Sequence, residues 1–446
     1  MADTTTTSAN PDHTDTSVRY RLWLMMFLEY AAKGLWFPLA SVFMVESVAD
    51  GGLGFSPAEK GWIIAISSAV GATCAPFICR LCDKRFDTAR FLGVLLLCVG
   101  GLKIVTAQQT TYQAWMILAV AFSILYVPTI ALTNSLSMSH LADPKNEFSR
   151  VRVWGTIGWI AAGWGFSMIW LQTGLQFQWL PPFLKGDPHP DSISRTIDSV
   201  TVAGIVCIGY GLYCTLALPR TPPKASDKQF NFGEAFSLFR HRSFGVMMFV
   251  ALMLSVVHMI YFIQMGSFLK TAGLEPQNVM PAMSLGQFSE IAMLAALGPM
   301  LARLGFRWTM VIGAGSFAFR YFLFSLDLPL GAYVTAQLLH GICFGCFYAS
   351  AFIYADRLAP PTLRHTAQAM FGFVMYGIGP LIAGQVNKML AAAATKGGGQ
   401  LDMPGYSFFW QWTAAIALVA TVLLAILFRD ETDTDGAKAA GKEEAV

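Results

Sequence analysis

Apolar residues run along this chain in long blocks, and short polar, often basic stretches separate them. A helix needs about 20 apolar residues to cross a hydrocarbon core. Only helices can satisfy their backbone there as separate segments. Twelve blocks fit that pattern: 20–46, 58–80, 90–107, 112–139, 151–171, 199–218, 243–269, 279–302, 308–325, 331–355, 364–390 and 406–428. The third and ninth are the shortest. One longer polar interruption, 219–242, opens on Pro-Arg-Thr-Pro-Pro and ends in a basic stretch. It divides the blocks six and six. The predicted organisation is a disordered tail over 1–17, a six-helix bundle over 18–218, a linker over 219–242, a second six-helix bundle over 243–430 and a tail over 431–446. Residues 172–198, with Pro181, Pro182, Pro188 and Pro190, are expected to form a long loop on the outer side.

Composition agrees with this pattern. The 446 residues are 55% hydrophobic and 13% charged, with mean hydropathy +0.51; soluble domains carry about 25% charged residues. The expected class is an all-α membrane protein. A net charge of +3 says little about partners, and no basic block interleaves with aromatics, so nucleic acid is not an expected partner. Residues 1–17 lack the basic–apolar–small order of a cleaved signal peptide.

Lys and Arg placement sets orientation. With the N-terminus inside, Arg19, Arg21, Arg80, Lys84, Arg85, Arg90, Arg150, Arg220, Arg240, Arg303, Arg307, Arg357 and Arg429 fall at cytoplasmic loops or helix ends. The outer side keeps Lys60, Lys185, Arg195, Lys270 and Lys396, with Lys103 and Lys388 at its margin. Both termini are therefore expected in the cytoplasm. Eight cysteines lie in or beside apolar blocks, two pairs of them as CxxC at Cys79–Cys82 and Cys343–Cys346. That spacing suits metal or redox chemistry or plain packing, and nothing points to disulfides. No HExxH or GxxxxGK[ST] pattern occurs, so neither a metalloenzyme nor a built-in ATPase is expected, and no cofactor.

The informative residues are charges inside the blocks. An ionised side chain at the bilayer centre costs about 2.5–3.5 kcal/mol on insertion scales. Glu29 and Lys33, Glu290, Arg320, His258 and His340 therefore mark a polar path. Glu29 and Lys33 are one turn apart, as a self-neutralising pair or as a gated pair opened during transport. Arg152, Thr156, Trp159 and Gly163 share a helical face, and so do Gln287 and Glu290. Gln337, His340, Phe344 and Tyr348 form a stripe, and His258, Tyr261, Phe262 and Met265 another. Each face could line a cavity or serve packing. Glu290 could carry a coupling proton, or pair structurally with Arg320.

The basic loops 79–90 and 298–307 each follow the second span of a half. That is where the major facilitator superfamily carries its signature loop, and Asp83 and Arg90 resemble its acidic and final basic positions. The usual leading glycine is absent, and Ala302 stands where the second copy would carry an acid. Within that superfamily, several segments resemble the nucleoside:proton symporter family. They are Arg-Val-Arg-Val-Trp-Gly-Thr-Ile-Gly-Trp at 150–159, Tyr126, Pro128, Thr129 and Asn134 in the fourth span, Gln287 and Glu290 in the eighth, Arg320 in the ninth, and Ala-Gln-Ala-Met-Phe at 367–371 in the eleventh.

The resemblance implies two six-helix bundles with a substrate site midway through the membrane between them. It implies substrate contacts at Arg152, Thr156, Trp159, Gln287, Glu290 and Phe344. His340 falls where the family can carry Tyr, and Gly345 where it can carry Asp. His258 is a further candidate for contact. Proton coupling or gating is expected from Glu290, Glu29, Lys33, Arg320, Asp83 and Arg90. The function so implied is nucleoside transport by alternating access with proton symport, by a monomer in the inner membrane. A sugar or drug-like solute on the same scaffold is the alternative.

Overall fold

The computed structural model describes residues 14–177, 179, 184–223, 236–360, 363–395 and 399–431. The tails through 13 and from 432, and the linker centre at 224–235, lie outside the described residues. Apart from one small hairpin the described chain is helical.

The first span is two helices, α1 (Thr16–Gly34) and α2 (Phe37–Phe43). Pro38 causes the break, because it removes a backbone donor and disfavours helical geometry just before it. After it come α3 (Pro57–Arg85), α4 (Thr88–Ala107), α5 (Tyr112–His140) and α6 (Pro144–Ile169). α3 starts on a capping box: Ser56 Oγ accepts from Glu59 N (3.2 Å) and Ser56 N donates to Glu59 Oε2 (2.9 Å). That cap sets Lys60 in the first turn.

Within the expected outer loop, residues 178 and 180–183, with Pro181 and Pro182, lie outside the described residues. The described part folds as an antiparallel hairpin, β1 (Gln172–Phe177) and β2 (Leu184–Pro188), followed by α7 (Ser192–Thr196). Gln172 Oε1 ties the hairpin by accepting from Gly186 N (2.7 Å). α8 (Asp198–Leu216) follows.

After the linker come α9 (Arg242–Thr271) and the 50-residue run α10 (Pro276–Ser325). α10 holds the eighth and ninth expected spans. They part at Gly305, whose φ of 68° lies in the left-handed region where glycine carries no Cβ penalty. α11 (Leu330–Leu358) passes through a π-helical stretch, Cys343–Ala349. α12 (Arg364–Phe373) continues through a second π-helical turn, Val374–Ile378, into Gly379–Ala394. The last helix is α13 (Met403–Leu427).

Among the described residues, nine helices are long and apolar enough to cross a membrane. The broken α1–α2 and the charged α6 fall outside that criterion, and α10 counts once although it contains two expected spans.

The buried core divides along the chain. One large apolar cluster draws on residues 238–428 and takes only Val42 from the earlier helices. Three smaller ones draw on residues 22–218, with Ile263 and Met280 reaching in from α9 and α10. α1 packs directly on α6, where Gly34 meets the Trp159 backbone and a Cβ would stand 2.7 Å from its carbonyl oxygen. This contact holds the Arg152–Trp159 face against the first helix.

Candidate functional site

Glu29 is fully buried in α1, yet its carboxylate is well supplied with donors. Thr129 Oγ1 donates to Oε1 (2.7 Å) and Thr133 Oγ1 to Oε2 (3.2 Å). Tyr126 OH donates to the Glu29 carbonyl (2.7 Å), and Tyr210 OH reaches Thr133 Oγ1 (3.1 Å). The donors lie on one face of α5 because Tyr126, Thr129 and Thr133 repeat at helical spacing. Pro128 sits between them.

Lys33 acts on Glu29 through space but makes no direct ion pair with it. Its Nζ lies 5.2 Å from the centre of the Phe37 ring. Of the two readings of this pair, the self-neutralising contact is not formed; the carboxylate is held by hydroxyls. A lysine assigned to the outer margin also turns inward. Lys103 is buried, with Nζ 3.6 Å from the Trp36 ring centre and 4.1 Å from that of Phe122. Its amine has no hydrogen-bond partner, so cation–π attraction is its main compensation.

The later helices hold a complementary centre around Arg320. Arg320 is fully buried and lies over the Tyr261 ring at 4.0 Å. Its Nη2 donates to Gln337 Oε1 (2.6 Å), which also accepts from Tyr261 OH (2.9 Å). Its Nη1 lies 3.1 Å from His340 Nδ1; a guanidinium only donates, so the imidazole accepts. The structural pairing of Arg320 with Glu290, the alternative to a coupling role for that acid, is not formed; a neutral amide and an imidazole hold the guanidinium instead. His258 stacks on His340 with ring centres 5.4 Å apart and planes 12° apart, and packs edge-on to Phe262 and Tyr348. His258 Nδ1 and Tyr348 OH are buried without partners. Phe344 lies 6.4 Å from His340 and 5.8 Å from Tyr348. The two stripes on α9 and α11 thus meet in one aromatic–imidazole cluster.

Between these centres lies a third, less satisfied group. Arg152 of α6 stacks over Tyr30 of α1, with Cζ 4.2 Å from the ring centre. Arg152 and Glu290 of α10 act on each other electrostatically without a direct ion pair. Tyr376, on the π-helical turn of α12, is 53% exposed and lies near Tyr30, Arg152 and Glu290. Gln287 has a buried Oε1 without a partner. Trp159 reaches Phe37 at 6.5 Å, and Phe37 reaches Phe262 of α9 at 5.4 Å. Thr156 is partly buried on the face between Arg152 and Trp159.

Groups from α1, α6, α10 and α12 therefore converge. They combine a guanidinium donor, a carboxylate acceptor, a free amide oxygen and aromatic planes. That set can bind a solute with several hydroxyls and a flat ring. Tyr30 and Tyr376 were missed from the sequence. Tyr30 sits one residue after the conspicuous Glu29, and Tyr376 precedes the Gly377–Pro380 run that reads only as a flexible or close-packed helix.

Asp83 and Arg90 do not meet. Arg90 pairs with Asp87 (3.6 Å), whose Oδ1 caps α4 by accepting from Arg90 N (3.1 Å) and whose Oδ2 accepts from Thr221 N (2.7 Å). Asp83 is exposed at the end of α3. The acid that organises this loop is Asp87, because it occupies the N-cap.

The model of the nucleoside H+ symporter family matches residues 16–433. The putative nucleoside transporter YegT of Escherichia coli is 31% identical over 426 residues, covering 92% of this chain and 93% of that protein. The nucleoside permease NupG of Escherichia coli is 22% identical, covering 86% of this chain and 90% of that protein. A crystal structure of a NupG mutant superposes with TM-score 0.79 at 20% identity, covering 92% of this chain and 100% of that one. The chain thus shares its fold with a solved nucleoside transporter. A family match across nearly the whole length, around a site of this composition, places the chain in the nucleoside H+ symporter family.

Proposed function

We propose that this protein is a secondary transporter that moves nucleosides across the cytoplasmic membrane by alternating access, coupled to protons by symport. One observation carries the reading. Arg152, stacked on Tyr30 of the early helices, acts electrostatically on Glu290 of the late ones, and Gln287, one turn from Glu290, has a buried oxygen without a partner. Family membership and the names of the relatives support the same substrate class.

In this reading the chain crosses the membrane twelve times, as bundles 18–218 and 243–430 that rock about the site, with both termini cytoplasmic. The protein works as a monomer. Arg152, Gln287 and Glu290 hold the ribose hydroxyls. Trp159, Phe344, His340 and His258 border the base, and Thr156 adds a hydroxyl. Glu290 binds the coupling proton, because it is the carboxylate that faces the substrate. Glu29, Lys33 and Arg320 tune the charge around the path, while Arg90 and Asp83 act at the inner helix ends.

The test is counterflow of a labelled nucleoside in proteoliposomes, competed by nucleosides, nucleobases, sugars and drug-like solutes. Nucleosides should compete and sugars should not. If no nucleoside competes, the substrate assignment is wrong.

A further inference from the structure

Away from the chamber, a second polar cluster ties early helices to late ones at the end opposite the basic loops. Lys60 was placed on the outer surface from sequence, but it is fully buried. Its Nζ donates to Gln264 Oε1 (3.0 Å) and Ser267 Oγ (3.1 Å) on α9. Gln264 Nε2 donates to Asn387 Oδ1 (2.7 Å) on α12, and Asn387 Nδ2 donates to Pro57 O (3.0 Å) at the start of α3. The ring of contacts closes through three helices. Around it, Ser267 donates to the Ser41 carbonyl, Gln400 to the Val45 carbonyl, and Lys270 pairs with Glu46. Lys60, Lys270 and Glu46 line a cavity of about 150 Å³.

At the basic end the described contacts run within each set of helices. Arg19 pairs with Glu147, Tyr213 donates to the Arg21 carbonyl, Gln368 donates to Asp356, and Arg307 donates to the Ala425 carbonyl. The structure is thus fastened at the outer end.

The chemistry of that fastening is unusual. The Lys60 amine has only neutral partners, and the nearby carboxylate, Glu46, is engaged by Lys270. Burying a cation without a counter-ion is costly even when it is hydrogen-bonded. The hydrogen bonds to it favour closure, and its desolvation favours opening.

We propose that Lys60 is a loaded latch of the outer gate: its hydrogen bonds register the closed state, and its unpaired burial keeps that state easy to reopen. The idea rests on the alternating-access reading. It predicts opposite effects from two substitutions in the same cluster. Lys60→Met removes the buried charge and leaves the gate closed longer. Gln264→Ala strands the amine and drives the gate open.

Val42 reports the gate, because it lines the cavity and is 1% exposed. Full-length Val42→Cys protein in lipid nanodiscs is labelled with a membrane-impermeant maleimide, and the parent's native-cysteine reaction is subtracted. Labelling should slow about tenfold with Lys60→Met, which removes the buried cation, and rise about tenfold with Gln264→Ala, which removes a hydrogen bond to a charged group. Changes in the same direction, or no change in either, overturn the latch, since a merely structural contact would loosen the gate in both. If either variant fails to fold, Ser267→Ala serves: it keeps the charge and removes a partner, so labelling must rise, and an unchanged rate overturns the proposal. Labelling needs no substrate. Nucleoside counterflow by the parent protein is measured separately, so failure of the transport reading and failure of the latch are told apart.

Discussion

Glu29 and Arg320 are both fully buried charges in apolar surroundings, one among the early helices and one among the late. They are solved differently. Glu29 is held by hydroxyls that can rotate, and two threonines supply its donors. Arg320 is held by groups that are themselves locked: Gln337 is engaged by Tyr261, and His340 is stacked on His258. A carboxylate among hydroxyls can gain or lose a proton while its neighbours turn to suit. A guanidinium is always charged, so its cage is fixed in one form. The late helices therefore carry a rigid centre and the early helices an adaptable one, with Arg152 and Glu290 as a third polar group.

The largest effect should come from the rigid centre. Arg320→Ala opens a cavity and strands Gln337, so it should cost about 3–5 kcal/mol of stability, read as a large drop in thermal-shift midpoint in detergent. A small shift would show that the cage is looser than its geometry. Next, Arg152→Ala removes a charged donor from the chamber and should weaken nucleoside binding by about 1.5–3 kcal/mol in a titration of folded protein. Wild-type affinity would move the site elsewhere.

The coupling comparison comes third. Glu290→Gln should cut proton-driven accumulation about tenfold while counterflow exchange changes less, as loss of a proton site without loss of shape implies. Glu29→Gln should leave more of the accumulation intact. The reverse order would assign the coupling proton to the hydroxyl-lined site. Smallest of all, Thr129→Val should cost about 1 kcal/mol, because Thr133 still serves the carboxylate. A cost as large as that of Arg320→Ala would erase the contrast between the two centres.

The all-helical class and the long apolar helices were legible in the sequence, because length and hydropathy decide membrane insertion. Arg152, Glu290 and the α9 and α11 stripes stand out in the sequence as polar or aromatic residues at helical spacing inside apolar blocks. What escaped depended on backbone detail or on long-range packing. The break before Phe37 hides inside a continuous apolar run. The hairpin at 172–188 is stabilised by cross-strand pairing, which no local pattern reports. Lys60 and Lys103 read as surface residues because they lie near block ends. Lys60 instead meets partners more than 200 residues away, and Lys103 finds its compensation in aromatic faces. Asp83 was singled out by its position in a motif, whereas the helix begins one turn later, at Asp87.

The interruption at Leu35 and Trp36 has a mechanical consequence. A single rod through this stretch would carry any tilt of its outer portion straight down to the threonines around Glu29. As two levers, the upper piece can travel with α9, where Ser41 and Gly266 touch, while the lower stays seated against α6. The break before Pro38 thus separates the contact that seats Glu29 beside α6 from the contact that ties Ser41 to α9.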